Sequence, residues 1–189
     1  MKTIIIYDSS DSQALKVREV LSRVCLVGST SLESIDVSKE KLKSCIGCFG
    51  CWVRTPGICV HTKDFGTAFL SKIFDADQIL ILSHITWGGY SPGIKAYTDR
   101  LLPLLHPYFT KRNGEMHHKL RYRSMPVLHA VGFNARTTEE EQTFVRYADA
   151  HRDNMDSGNG TGTFIWKTEN SEEAQAAACA AWYLKESAQ

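Results

Sequence analysis

The sequence lacks an excess of charge of either sign. Its 22 lysines and arginines stand against 21 aspartates and glutamates, a formal charge of +1. That balance gives no long-range field for gripping a nucleic-acid backbone. A long hydrophobic run is also missing. No stretch approaches the roughly 18 apolar residues that a membrane helix needs. The apolar start Ile4-Ile5-Ile6-Tyr7 stops at Asp8, short of a signal-peptide core. Neither nucleic acid nor membrane is therefore expected as a partner, and a cytoplasmic location is expected. Internal repeats, low-complexity tracts and a linker are absent, so residues 1–189 are expected to form one domain. The first strand-to-helix turn also lacks the Gly-x-Gly-x-x-Gly fingerprint, which argues against a tightly held dinucleotide.

What is present is the composition of a soluble globular chain, with 43% hydrophobic and 23% charged residues. Six cysteines without an export signal read as thiols or ligands before disulfides. Residues 3–8 are β-branched and apolar, as in a strand buried on both faces of a parallel sheet. Val17, Val20, Leu21 and Val24 mark one helical stripe and predict a helix over 11–25 that ends at Gly28. Leu32 to Val37 is a second strand. Residues 38–62 show no period and hold four of the cysteines; long connections of this kind are often functional. A helix follows at 63–75, then the strand Gln78 to Ser83, a glycine-containing loop at 84–90 and a helix from Pro92 to Leu105. Residues 107–124 read as irregular and basic. Pro126 to Gly132 is a fourth strand, 137–153 a helix, 154–162 a polar turn, Thr163 to Lys167 a fifth strand and 171–186 a helix.

Strands and helices thus alternate five times. This predicts an α/β fold, a three-layer sandwich around a five-stranded parallel sheet in the flavodoxin-like order 2-1-3-4-5. Ligands of such sheets bind beyond the carboxyl ends of the strands where the order reverses, here between the first and third strands. The expected lining is residues 8–14, 84–90 and 132–135, with the cysteine loop alongside. Ser9, Ser10 and Ser12 add hydroxyl donors at a helix start, an arrangement that suits a phosphate. Ser10 or Asp11 equally serves as a plain helix cap. The turn has no glycine, lysine or arginine, and Asp8 and Asp11 repel an anion. In the second segment Ser91 and Pro92 form a helix start, while Gly88 and Gly89 let backbone approach a flat ring. Trp87 would flank that ring, or simply pack in an ordinary turn.

The segment Ile85-Thr86-Trp87-Gly88-Gly89-Tyr90-Ser91, with Lys95 and Asp99-Arg100 beyond it, resembles a flavin loop of the NADPH-dependent FMN reductase family. So does Cys45-Ile46-Gly47-Cys48-Phe49-Gly50-Cys51-Trp52, running on to Thr55-Pro56-Gly57 and Cys59. The resemblance continues through Asn113-Gly114-Glu115, His117-His118 and Arg121-Tyr122, and covers roughly residues 45–132. It implies a flavodoxin-like protein that binds FMN, takes electrons from NAD(P)H and passes them to a small-molecule acceptor. It also implies that Ile85, Thr86, Trp87, Gly88, Gly89 and Tyr90 hold the isoalloxazine. Ser9, Ser10, Ser12 and Gln13 would hold the phosphate, and Gly132, Phe133 and Asn134 would give the third contact. Two positions depart from the family pattern. The phosphate turn opens with Asp8, not a glycine, and His84 stands where a proline is common. No catalytic side chain is expected, because the chemistry belongs to the flavin.

Cys45, Cys48, Cys51 and Cys59 are open to three readings. They wall the flavin pocket as reduced thiols, they ligate a 4Fe-4S cluster as in the related iron-sulfur flavoproteins, or they bind zinc. The pocket wall is the leading reading and the cluster the alternative. Cys25 and Cys179 fall in helices and read as small packing residues. The basic residues Lys111, Arg112, Lys119, Arg121 and Arg123 suit nicotinamide phosphates, a subunit partner or solvent. Adjacent His117 and His118 would not share a face, so a joint metal site is not expected. Asp99 and Arg100 read as a helix-surface or domain-packing pair. Leu104, Leu105, Tyr108, Phe109 and Tyr122 suggest an arm that docks on a second copy, giving a homodimer or larger.

Overall fold

A computed structural model gives the structure of the chain. It describes residues 1–27, 31–122, 124–158, 162–167 and 169–186, with backbone alone for 25–27. Gly28, Arg123 and the Cys25 side chain therefore lie outside the described residues, as do residues 159–161 of the polar turn.

Strand β1 (Lys2–Tyr7) is apolar throughout because both its faces are covered. Ile4 and Ile6 point into one core, Ile5 and Tyr7 into the other. Helix α1 (Ser12–Val27) follows and lays Ala14, Val17 and Leu21 on the second face. Strand β2 (Ser31–Asp36) pairs parallel with β1. The long connection contains one helical turn, α2 (Gly50–Val53), before α3 (Gly66–Phe74). Strand β3 (Gln78–Thr86) flanks β1 on its other side, and β4 (Gly89–Tyr90) folds back against its end. Helix α4 (Pro92–Asp99) and a 3-10 turn at Leu102–Leu104 lead to β5 (Leu105–Arg112) and β6 (Glu115–Leu120). Strand β7 (Val127–Phe133), α5 (Thr138–Asn154), β8 (Thr163–Trp166) and α6 (Glu172–Glu186) complete the order.

The five parallel strands run β2-β1-β3-β7-β8, which is the predicted 2-1-3-4-5 order counted along the parallel strands. Helices α3, α4 and α5 cover one face through Phe69, Ile73, Ile94, Tyr97, Phe144 and Ala148. Helices α1 and α6 cover the other through Val17, Leu21, Cys179 and Tyr183. Ile4, Ile5, Ile79, Leu80 and Ile81 are fully enclosed. Each such side chain contributes about 1.5–3 kcal/mol of transfer free energy, so the central strands anchor the cavity described below.

Several expectations are corrected. The segment 107–124 is not irregular: β5 and β6 form an antiparallel hairpin with a register shift between Leu105 and Phe109. Its turn is Asn113-Gly114, both at positive φ (50° and 87°), the residue pair that a two-residue hairpin turn favours. The stretch 84–90 is not a loop either. Strand β3 continues to Thr86, turns at Trp87-Gly88 (φ 53° and 74°) and pairs with β4. Helix α4 stops at Asp99, short of Leu105, because Pro103 cannot continue a helix. Helix α3 begins at Gly66, later than residue 63, after Asp64 accepts the Gly66 N–H.

Candidate functional site

The carboxyl ends of β1, β3 and β7 open into a cavity of about 350 Å³. This is the point where the strand order reverses, as the topology requires. Ala14, Leu82 and Phe133 form an apolar floor, and Asp8, Ser10, Asp11, His84, Thr86 and Ser91 a polar rim. Such a division suits a flat heteroaromatic ligand with polar edges.

The turn after β1 is held by carboxylates. Asp8 Oδ1 accepts the Ser10 N–H at 2.9 Å and the Ser10 hydroxyl at 2.6 Å. Asp36, at the end of β2, accepts the Ser9 N–H at 3.1 Å and the Ser38 hydroxyl at 2.7 Å. Ser9 and Ser38 hydroxyls meet at 3.0 Å. Burial opposes the Asp36 charge, but the Ser9 and Ser38 hydrogen bonds and Lys39 outweigh it and hold its carboxyl well below the usual range. Asp11, not Ser10, caps α1: its Oδ1 accepts the Gln13 and Ala14 N–H groups at 2.8 and 3.3 Å. Ser12 is exposed and Gln13 half-buried.

The hairpin at the end of β3 places its residues differently. Thr86 lines the cavity. Ile85 and Tyr90 are buried in the core below, so only their backbone can reach a ligand. Trp87 stands 80% exposed with the Arg136 guanidinium 5.2 Å from its ring centroid. Gly88 sits against α5, where an added Cβ would come within 2.5 Å of Thr143, and half-buried Gly89 begins β4. Ser91 does not cap α4 with its side chain; its N–H instead donates to Ser83 Oγ at 2.9 Å. Gly132 and Phe133 are buried in β7, and Asn134 follows in the left-handed region (φ 59°). His84 Nδ1 lies 3.1 Å from Asp11 Oδ2 and 3.4 Å from the Asn134 amide nitrogen. Sequence reasoning noted His84 and Asp11 separately and missed that they meet. No signal in the sequence ties them together.

The cysteine loop packs beside α4. Cys51 and Cys59 are buried, Cys45 half-buried and Cys48 exposed. Burial pushes the Cys51 thiol up, and Cys59, Cys45 and Cys48 push it further in the same direction. The fold thus gathers all four near one another. Among the described residues, no group of three or more His, Cys, Asp or Glu side chains is arranged to hold a metal ion. Trp52 donates to the Leu102 carbonyl at 3.2 Å and heads an aromatic row, Phe49–Trp52–His118–Phe109, with centroids 4.7–4.9 Å apart.

Asp99 and Arg100 do not pair with each other. Asp99 pairs with Lys95, and Arg100 with Asp64. His117 is buried and hydrogen-bonds Asn154 at 3.1 Å, while His118 stacks on the aromatic row, so the two do separate. In the basic stretch, Arg112 binds Asp156 and the Asp153 carbonyl, and Arg121 binds the Pro103 and Leu105 carbonyls. Lys111 and Lys119 are exposed. Cys179 is buried, as a packing residue would be.

No protein-family model matches the chain. It is 34% identical over 90 residues to an iron-sulfur flavoprotein of Methanocaldococcus jannaschii. That match covers 48% of this chain and 45% of the relative, so it spans less than half the relative's length. Among solved structures, the NAD(P)H:quinone oxidoreductase of Methanothermobacter marburgensis superposes with a TM-score of 0.64 at 14% identity, covering 96% of both chains. Oxidised flavodoxin 1 of Bacillus cereus gives a TM-score of 0.60 at 10% identity, covering 98% of both. The fold is flavodoxin-like. No helix among the described residues is long and apolar enough to cross a membrane.

The flavin that this fold and the sequence resemblance imply can be tested against the residues present. The apolar floor and polar rim fit its ring. The turn of residues 8–14 does not fit a terminal phosphate, because the Ser9, Ser10, Gln13 and Ala14 N–H groups already serve carboxylates and Asp8 and Asp11 line the cavity.

Proposed function

We propose that the protein is a flavin-dependent oxidoreductase that takes electrons from NAD(P)H and passes them to a small-molecule acceptor. The observation that carries this reading is the cavity at the carboxyl ends of β1, β3 and β7, with its apolar floor and polar rim. The quinone oxidoreductase superposes over nearly the whole chain, and the curated relative is called a flavoprotein. When bound, a flavin supplies the redox chemistry: it accepts a hydride from a reduced nicotinamide and gives electrons to a second acceptor. The chain's own residues position and shield. Leu82 and Phe133 would exclude water from the floor of the cavity. The backbone of 86–90 would hold the ring, as the sequence resemblance implies, with Thr86 at the rim of the cavity. Asp11 orients the His84 ring through the contact at Nδ1. Thr86 and Ser91 contribute hydroxyls at the rim.

Anaerobic mixing of the flavin-supplemented protein with NADPH tests the reading. Rapid bleaching of the flavin absorbance is expected. Flavin that binds but stays oxidised with both NADH and NADPH would indicate an electron carrier instead.

A second reading, an iron-sulfur flavoprotein, is favoured by the gathering of Cys45, Cys48, Cys51 and Cys59 and by the name of the curated relative. We also propose that the β5–β6 hairpin joins two copies of the chain, since Tyr108, Phe109 and Met116 all stand exposed on it. FMN is the form that the sequence resemblance implies.

A further inference from the structure

We infer that the cavity takes a flavin whose ribityl chain ends in an uncharged hydroxyl, riboflavin, in preference to FMN. The inference rests on the flavin reading above and concerns the turn between β1 and α1. A phosphate dianion at a helix start needs uncommitted N–H donors and a favourable field. Apart from the Ser12 N–H, the N–H donors of residues 9–14 are committed here, and the field is unfavourable. The Ser9 N–H donates to Asp36 at 3.1 Å and the Ser10 N–H to Asp8 at 2.9 Å. The Gln13 and Ala14 N–H groups donate to Asp11 at 2.8 and 3.3 Å. The Asp11 N–H closes on the Asp8 carbonyl at 3.1 Å. The hydroxyl of Ser10 is turned onto Asp8 and that of Ser38 onto Asp36. Three carboxylates thus occupy most of the donors that a phosphate would use.

The basic groups nearby give no relief. Lys39 sits on Asp36 Oδ2 at 3.1 Å, and His84 on Asp11 Oδ2 at 3.1 Å. Asp8 and Asp11 both line the cavity. A dianion placed there would meet their repulsion and would have to break the capping bonds of α1. A hydroxyl behaves in the opposite way. It donates its proton to a carboxylate oxygen, and each such oxygen accepts more than one hydrogen bond. The same wall that rejects phosphate therefore receives the end of an uncharged polyol chain.

Fluorescence titrations of the purified full chain with riboflavin and with FMN, both at low ionic strength, read the preference directly. Riboflavin is expected to bind tighter, by about tenfold. Salt should tighten FMN binding by screening the repulsion and leave riboflavin binding level, a readout that needs no variant. The double replacement Asp8→Asn, Asp11→Asn removes both charges and should tighten FMN binding several-fold, with circular dichroism to check the fold. FMN binding as tightly as riboflavin, or tighter, overturns the inference and leaves the flavin reading standing. Failure of both flavins to bind at micromolar concentration overturns the two together.

Discussion

Arg100 and Asp64 form a two-pronged ion pair in the interior, Nη1 to Oδ2 at 2.7 Å and Nη2 to Oδ1 at 3.0 Å, with the arginine side chain 1% exposed. The same guanidinium donates to the Lys43 carbonyl at 2.7 Å and the His61 carbonyl at 3.2 Å. It thereby pins both ends of the cysteine loop to the carboxyl end of α4. Gly66 leaves room for it, since an added Cβ there would lie 1.9 Å from Nη2. Removing one partner of a buried pair strands the other charge, at a cost of about 3–5 kcal/mol. Arg100→Ala should lower the urea midpoint accordingly. Arg100→Lys should recover only part of the loss, because an ammonium does not match the two-pronged geometry. A midpoint for Arg100→Ala within error of the parent would refute the clamp.

The buried histidines set a pH dependence. Burial pushes His129 down to about 4, with Arg152 adding to the effect. Burial also pushes His151 down to about 4; Lys95 reinforces this and Asp99 opposes it. An unfolded histidine titrates near 6.5. Between the two values the unfolded chain binds more protons, so stability rises with pH there. It is complete above about pH 6.5 and falls as the pH drops toward 4. At pH 5 the two together should cost on the order of 3–4 kcal/mol relative to pH 7.5. Urea unfolding at both pH values measures it, and His129→Leu should flatten the slope.

The legible parts of the sequence were those whose surroundings leave a mark on composition. Strands β1 and β3 are covered on both faces, so Ile4-Ile5-Ile6 and Ile79-Leu80-Ile81-Leu82 read as unbroken apolar runs. The parallel order and the place of the cavity followed from them. The β5–β6 hairpin left no such mark, because neither of its strands is apolar-faced along its length: its residues are mostly exposed or half-buried. Only Asn113-Gly114 announced it. The Arg100–Asp64 clamp and the Asp11–His84 contact join residues from separate elements and have no local pattern at all. The aspartates of the first turn were visible as charges. That they consume the turn's own N–H groups depends on backbone geometry, which composition does not encode.

Gly132 makes a separate stability test. It lies in β7 at 2.6 Å, measured from an added Cβ, to Phe144 of α5, with Ile85 at 2.9 Å. Phe144 and Ile85 are both enclosed and cannot swing away. Gly132→Ala should overpack this seam and cost about 1–3 kcal/mol. Pairing it with Phe144→Leu should restore part of the loss, a coupling that thermal melts of the parent and the three variants would expose.

The hairpin arm bears on assembly. Tyr108, Phe109 and Met116 are 65%, 59% and 64% exposed, a costly display of apolar surface for an isolated chain. A light-scattering mass of at least twice 21.2 kDa is expected. Phe109→Asp with Met116→Asp should return it to the single-chain value without unfolding the sheet, since both side chains already face solvent. A parent mass near one chain would remove the arm's proposed role.

The four loop cysteines divide the two functional readings. None of the four lines the cavity at the ends of β1, β3 and β7; if they stay reduced thiols beside it, protein purified without oxygen will carry neither iron nor acid-labile sulfide. Cys48→Ser should then leave the bound-flavin spectrum and the melting temperature nearly unchanged, because Cys48 is exposed. Cys51→Ser should cost more, about 1–2 kcal/mol, since it buries a hydroxyl at the start of the loop's only helical turn. If they hold a cluster, iron should approach about four per chain, and Cys48→Ser should strip it as completely as Cys51→Ser does. Burial therefore predicts unequal effects of the two replacements for reduced thiols, and ligation predicts equal ones. Metal analysis of oxygen-free material, alongside the pair of serine variants, distinguishes the cases.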